Sequence, residues 1–165
     1  MAKVMILMGS ASDWGTMQET ARVLSQLQVP YEVHVASAHR TPERVRRLVA
    51  EGEAGGVQVF VAGAGMAAHL AGFLAAHTTK PVIGVPLPGG VADGLDALLA
   101  TVQMPGGVPV ATVAVGKAGA RNAAFLAAQI LALQDPALAE RLAQERRASA
   151  QAVEEADRSL QLDTT

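Results

Sequence analysis

The chain has 165 residues and a formal net charge of −2; half of its residues are hydrophobic, 17% are charged and none is cysteine. This composition excludes a disordered chain, disulfide bonds and thiolate metal sites, and the lack of a basic excess disfavours a nucleic-acid partner. No apolar run approaches the roughly 20 residues of a membrane helix and no signal peptide precedes the first strand, so we expect a cytoplasmic protein without a membrane partner.

Short apolar or β-branched runs alternate along the chain with segments of helical pattern. This alternation predicts an α/β fold, a single-domain doubly wound parallel sheet with helices on both faces. The predicted strands are 3–8, 31–36, 57–63, 81–86 and 108–115, and the helices that follow them are 13–27, 42–54, 67–77, 92–102 and 118–133.

The segment 134–165 differs from the alternating part. It opens with a proline start signal, carries most of its charge between 140 and 158, and has a thin apolar stripe at helical spacing. We therefore predict a domain over 1–133 and a C-terminal helical extension over 134–165. The extension is interpreted either as a solvated helix or as an arm that docks on a neighbouring subunit.

In a doubly wound sheet, ligands bind beyond the carboxyl ends of the strands, near the point where the strand order reverses. With the order 2-1-3-4-5, the loops after the first three strands meet at that point. Those loops are also the least generic parts of the sequence: "MGSASDWG" (8–15), "SAHRTPE" (37–43) and "AGAGMAAHLAG" (62–72).

The first loop combines a glycine turn at Gly9 with three good N-cap residues, Ser10, Ser12 and Asp13. A helix N-terminus with hydroxyl groups and free N–H groups can bind phosphate, although a capped turn that binds nothing is the alternative. A carboxylate repels phosphate, so Asp13 would instead accept hydrogen bonds from sugar hydroxyls.

In the second loop, Thr41 as N-cap and Pro42 at the first helical position account for the helix start. They leave Ser37, His39 and Arg40 unexplained. Arg40 offers a planar guanidinium for phosphate, and His39 offers an imidazole, a side chain suited to proton transfer.

In the third loop, Gly63 and Gly65 would let the backbone approach a ligand, and the helix beyond carries His69. His69 could contact the ligand or be a satisfied helix residue, whereas His34 and His77 are predicted to be structural or surface residues. No metal-ligand spacing, P-loop, serine-hydrolase elbow or full dinucleotide fingerprint occurs, so we expect no metal and no such cofactor.

Four separated motifs resemble the PurE family of purine biosynthesis: the three loops and "VQMPGGVPVATVAVGKAGARNAAFLAAQIL" (102–131). The resemblance covers roughly 3–133. It implies a flavodoxin-like three-layer sandwich, assembly as a homo-octamer and a ribonucleotide substrate. It also implies the mutase reaction, which moves a carboxylate from the exocyclic nitrogen of N5-carboxyaminoimidazole ribonucleotide to ring carbon 4 without a cofactor.

The resemblance also implies roles for nine residues. His39 falls on the family's proton-transferring histidine. Positions that contact the phosphate and ribose are Ser10, Asp13, Ser37 and Arg40, and positions in the loop over the base and carboxylate are Gly65, Ala67, His69 and Leu70.

Two alternatives stay open. One is the family's carboxylase class, which adds free carbon dioxide to aminoimidazole ribonucleotide; it more often has Lys after the histidine and lacks the second histidine, so Arg40 and His69 favour the mutase class. The other is a non-catalytic nucleotide or flavin-binding module, although the loops offer few aromatic rings for stacking. The chain departs from the family pattern at Met66, where a small residue is expected.

Overall fold

Residues 1–163 are described in the structure, a computed structural model of the chain. Five strands form one parallel sheet in the order β2-β1-β3-β4-β5, which is the order expected for a flavodoxin-like fold. The strands are β1 (Val4–Met8), β2 (Tyr31–Val35), β3 (Val59–Gly65), β4 (Val82–Leu87) and β5 (Ala111–Thr112).

Helices cover both faces of the sheet, because successive side chains of a strand point to opposite faces and both sets are apolar here. The helices are α1 (Trp14–Gln26), α2 (Pro42–Ala54), α3 (Leu70–Ala75), α4 (Leu95–Val102), α5 (Lys117–Ala132) and α6 (Pro136–Asp163). Ile6 and Val61 pack with α1 and α5 on one face. Leu7 and Phe60 pack with α2 and α3 on the other. The predicted doubly wound, three-layer architecture is confirmed.

Two element boundaries near the cleft differ from the predicted ones. The strand predicted over 57–63 continues to Gly65, and the helix predicted to start at Ala67 starts at Leu70. The cause is Met66, whose φ of 53° lies in the left-handed region. The next two N–H groups, of Ala68 and His69, bond to carbonyls only two residues back. Residues 66–69 therefore form tight turns that cannot be part of a helix.

The fifth strand is much shorter than the predicted 108–115, since only two residues pair with β4. Proline accounts for the limit on both sides: Pro109 precedes the pair, and Pro86 of β4 has no N–H to continue the ladder. The Pro86 carbonyl instead accepts the N–H of Gly116 at 2.9 Å.

The last helix begins within the predicted extension, and residues 164 and 165 lie outside the described part of the chain. Only its first turns pack on the domain: Leu138 is buried, and the Arg141 guanidinium donates to the Leu27 carbonyl at 2.8 Å. Every residue from Gln144 to Gln161 is exposed. In the described part of the chain, no helix has the length and hydropathy to cross a bilayer.

Candidate active site at the carboxyl ends of the strands

A cleft of about 510 Å³ opens at the carboxyl ends of β1, β3 and β4. The three loops singled out in the sequence form most of its wall, because the strand order brings their starting points together. The structure brings all nine sequence-predicted site residues around this one cleft, namely Ser10, Asp13, Ser37, His39, Arg40, Gly65, Ala67, His69 and Leu70.

In the first loop, Ser10 and Asp13 cap each other across a short 3₁₀ turn, Ala11–Asp13. The Ser10 hydroxyl accepts the Ser12 N–H at 3.3 Å, and the Asp13 carboxylate accepts the Ser10 N–H at 3.0 Å. Burial raises the pKa of the Asp13 carboxyl, while the Ser10 N–H bond and the positive charge of Arg40 partly oppose that rise. This wall thus holds a partly desolvated carboxylate fixed by the backbone.

The second loop is joined to the first by Arg40. Its guanidinium donates to the Gly9 carbonyl at 2.8 Å, and its backbone N–H donates to the Ser37 hydroxyl at 3.2 Å. A guanidinium has five N–H donors, so one bond to Gly9 positions the group and leaves donors for a ligand.

The start of α2 differs in one respect from the sequence prediction. Pro42 occupies the first helical position as predicted, but the Thr41 side chain makes no capping bond. The Thr41 hydroxyl instead accepts the Ser37 N–H at 3.0 Å and donates to the Ser37 carbonyl at 3.2 Å. Thr41 therefore closes the loop that carries His39 instead of capping the helix.

The two histidines of the cleft contact each other. His39 Nε2 lies 2.7 Å from His69 Nδ1, and the rings meet edge to face at an interplanar angle of 84°. One nitrogen must carry the proton and the other must accept it, so the two rings share one proton at this contact. His69 lies just before α3 and not within it as predicted, and this position turns its ring towards His39.

The two glycines of β3 have different roles. A Cβ on Gly63 would lie 2.4 Å from the Met17 sulfur, so this glycine makes room for the α1 side chain and does not line the cleft. The expectation that Gly63 lets the backbone approach a ligand is therefore wrong. Gly65 does line the cleft, next to Met66, whose side chain is 67% exposed.

The sequence prediction missed one wall of the cleft, Leu87–Gly89, which follows β4. The signal was available: β4 lies beside β3 in the order 2-1-3-4-5, so its loop also leaves the sheet at this edge. The Gly89 N–H donates to the Asp93 carboxylate at 3.1 Å, which fixes this wall.

The other two histidines lie away from the cleft, as predicted. His34 Nε2 lies 3.6 Å from the Glu32 carboxylate on β2. The His77 ring bonds to the Phe73 carbonyl at 2.7 Å and to Arg46 at 3.2 Å. Within residues 1–163, no cluster of three or more potential metal-ligating side chains was found.

Comparison with known proteins gives the same family from sequence and from structure. The AIR carboxylase family matches residues 3–152, a match that runs past 133 into α6. The chain is 54% identical over 141 residues to the N5-carboxyaminoimidazole ribonucleotide mutase of Escherichia coli K12, covering 86% of this chain and 83% of the relative. It is 52% identical over 155 residues to the Bacillus subtilis enzyme of the same name, covering 94% and 96%. The crystal structure of Treponema denticola PurE superposes with a TM-score of 0.87 at 32% identity, covering 95% of this chain and 97% of that one.

Proposed function

The chain belongs to the AIR carboxylase family, and from this membership we propose that it converts N5-carboxyaminoimidazole ribonucleotide to 4-carboxyaminoimidazole ribonucleotide. The Escherichia coli and Bacillus subtilis relatives, at 54% and 52% identity, carry the name of this mutase. The single structural observation that carries the proposal is the His39–His69 pair in a cleft that also holds Arg40 and Asp13. These groups supply proton transfer, an anion anchor and a sugar contact.

His39 is the proton-transferring residue in this mechanism. It protonates the carbamate nitrogen, the nitrogen–carbon bond breaks, and the bonding electrons stay on the nitrogen as carbon dioxide leaves. The electron-rich ring then attacks carbon dioxide through carbon 4 and forms the new carbon–carbon bond. His39 takes the proton from carbon 4, which restores the aromatic ring and returns His39 to its starting state.

His69 is a positioning residue in this mechanism. Its Nδ1 lies 2.7 Å from His39 Nε2, so it holds the orientation of the His39 ring before the substrate binds. The short backbone turns of residues 66–69 fix His69 in turn. A catalytic group that is held in one orientation beside the bound substrate reacts as if it were part of the same molecule. Much of the rate enhancement of an enzyme arises in this way.

Carbon dioxide must stay beside the ring after the first bond breaks. The third loop supplies small residues, Gly65 and Ala67, and the apolar Leu70, and Leu87 and Pro88 line the cleft beside Gly65. An apolar wall closed over the base excludes water and holds carbon dioxide within reach of carbon 4. The phosphate end, bound by Arg40 and the first loop, supplies binding energy away from the reacting atoms.

A paired assay on the purified protein tests the proposed reaction against the carboxylase alternative. One arm supplies N5-carboxyaminoimidazole ribonucleotide, and the other supplies aminoimidazole ribonucleotide with bicarbonate. Fast turnover in the first arm alone supports the mutase. Fast turnover in the second arm would assign the chain to the carboxylase class, and a folded protein inactive in both would contradict enzymatic function.

Arg40→Ala is expected to weaken substrate binding more than it slows the reaction. A charged hydrogen bond contributes about 1.5–3 kcal/mol, so KM should rise by about 10- to 100-fold while kcat changes less. Arg47→Ala is the matched control, since Arg47 is exposed and its one ion pair among the described residues is with Glu51, at 3.7 Å. An apparent affinity that stays at the control value would contradict the phosphate role of Arg40.

Asp13→Asn is expected to change stability with a defined dependence on pH. Burial raises the pKa of Asp13 in the folded state. The free energy of unfolding of the wild type therefore falls as the pH rises from about 3.9, the ordinary pKa of an aspartate, through the raised pKa of the folded state. The Tm of the variant relative to wild type should therefore increase over this interval and then level off. Parallel Tm measurements against pH check this. A difference that shrinks with rising pH would mean that Arg40 and the Ser10 N–H outweigh burial.

The finer features implied by family membership belong to the same proposal. The enzyme binds a ribonucleotide, uses no metal or organic cofactor, and acts in the cytoplasm as a homo-octamer. The C-terminal extension from 134 onwards acts as an addition to the catalytic domain. Mass measurement in solution by light scattering tests the octamer directly.

A further inference from the structure

Met66 places an exposed apolar side chain in the candidate active site. It lines the cleft and is 67% exposed, whereas Leu70 and Leu87, two other large apolar residues of the cleft wall, are buried. A large apolar side chain that stays in water gives up the favourable free energy of its burial. The exposed surface of Met66 is therefore available for contact with a ligand that enters the cleft.

The backbone of Met66 is held in a conformation that is unfavourable for methionine. Its φ of 53° lies in the left-handed region, where the Cβ atom crowds the carbonyl oxygen. The Met66 carbonyl accepts the Ala68 N–H at 2.9 Å, and the Ala67 carbonyl accepts the His69 N–H at 2.8 Å, so the turns that follow maintain this conformation. Residues held in such conformations are concentrated at functional sites. Because the backbone is fixed, the part of Met66 that remains free to move is its unbranched, flexible side chain.

The size of Met66 distinguishes it within the third loop. Apart from His69, the other residues of 62–69 are glycine or alanine. These small residues leave room for a base and a carboxylate, but they are too short to cover them. His69 lies on the same segment and contacts His39 at 2.7 Å. A long side chain on this segment is therefore placed to cover a ligand near the histidine that transfers the proton.

We propose that the Met66 side chain lies over the bound base and keeps released carbon dioxide in the cleft until carbon 4 captures it; this inference rests on the proposed function. When the carbamate nitrogen–carbon bond breaks, the nitrogen keeps the bonding electrons and receives the proton of His39. Carbon dioxide then either bonds to carbon 4 or diffuses into solvent. Diffusion leaves aminoimidazole ribonucleotide, and His39 recovers its proton from water. A flexible, apolar thioether suits this role, because it excludes water and adapts to the shape of the ligand.

A substrate that carries an isotopic label in its carboxylate measures the two fates of carbon dioxide. Initial rates of label release as carbon dioxide and of label retention in the product are compared, after correction for release without protein. For Met66→Gly we expect the ratio of released to retained label to rise by about tenfold or more, the order of magnitude expected for the loss of one apolar contact of this size. Met66→Leu keeps the apolar bulk and should stay close to the wild-type ratio.

Each other outcome of this assay has a separate meaning. A wild-type ratio in Met66→Gly, or the same rise in Met66→Leu, would overturn the role of Met66 and leave the proposed reaction standing. A folded wild-type protein that converts none of the labelled substrate would overturn the proposed function and this inference with it.

Gln28→Gly is the matched control for the change in backbone. Gln28 also has a positive φ, 56°, and it is exposed and lies outside the cleft. Glycine adopts this region without crowding, so both glycine variants should keep or raise the wild-type Tm. Only Met66→Gly should change the ratio of released to retained label. A Met66→Gly protein with a lowered Tm, or an equal change of the ratio in both variants, would indicate a structural effect and contradict the proposal.

Protection from oxidation tests the contact without any turnover. Mild peroxide converts an accessible methionine to its sulfoxide, and mass spectrometry of peptides follows Met66 and, as an internal reference, the half-buried Met104 outside the cleft. With saturating 4-carboxyaminoimidazole ribonucleotide, we expect the oxidation of Met66 to slow several-fold and that of Met104 to stay unchanged. If Met66 is oxidised equally fast with and without the nucleotide, the proposed contact is wrong, whereas turnover of the labelled substrate would still support the mutase reaction.

Discussion

His39→Asn is expected to fold normally and to lose nearly all turnover. Positioned general acid–base catalysis contributes typically about 10²- to 10⁴-fold to a rate, and kcat should fall within that range. Asparagine keeps a polar side chain that can face His69 but cannot titrate near neutral pH. The loss should therefore appear in kcat, with a smaller change in KM.

His34→Asn is the matched control for this variant. It replaces another histidine of the same region of the chain, one whose ring faces Glu32 and not the cleft. Both variants are compared with wild type for kcat and KM on N5-carboxyaminoimidazole ribonucleotide, and for Tm. A His39→Asn protein that keeps most of its turnover would refute the assigned role, and equal losses in both variants would point to a structural effect.

Gly119→Ala is expected to destabilise the fold strongly, although alanine is the better helix former. Gly119 lies in the first turn of α5, and a Cβ there would lie 1.6 Å from the Ala114 carbonyl oxygen. Since the obstacle is backbone, no side-chain rotation relieves the overlap, and α5 must move. We expect a loss of at least about 3 kcal/mol, or a Tm lower by roughly 6–12 °C, with failure to fold as the extreme.

Gly15→Ala is the matched control, because Gly15 is exposed and lies in the first turn of α1. A Cβ there meets nothing within 4 Å. Helix propensity then acts alone, and the change should stabilise the protein by up to about 1 kcal/mol. The two substitutions should thus shift Tm in opposite directions in thermal unfolding at one protein concentration. A Gly119→Ala protein as stable as wild type would show that α5 can move at little cost.

Much of the fold could be predicted from local patterns. Apolar runs that alternate with helical segments predict a parallel sheet, because a strand buried on both faces must be apolar along its whole length. The ends of the helices and strands were less predictable where a residue adopts an unusual backbone conformation. Met66 adopts a left-handed conformation, which delays α3 to Leu70, and the sequence offers no sign that a methionine will do so.

The candidate site shows the same division between local and distant information. Ser10, Ser37 and Arg40 were found because polar residues follow strands in a chain that is otherwise apolar. Leu87–Gly89 was missed because an apolar turn looks like ordinary core. Gly63 was misread for a related reason, since its neighbour Met17 is distant in sequence.

The sequence by itself determined the alternating elements, the three polar loops and the residue types able to bind a nucleotide and move a proton, because these depend on neighbours along the chain. Only the tertiary structure decided that His39 meets His69 at 2.7 Å and that Arg40 reaches Gly9 at 2.8 Å. These pairs are 30 and 31 residues apart. Their distances follow from strand order and from the register of β1 with β2 and β3, since one sheet edge brings loops together that the sequence keeps apart.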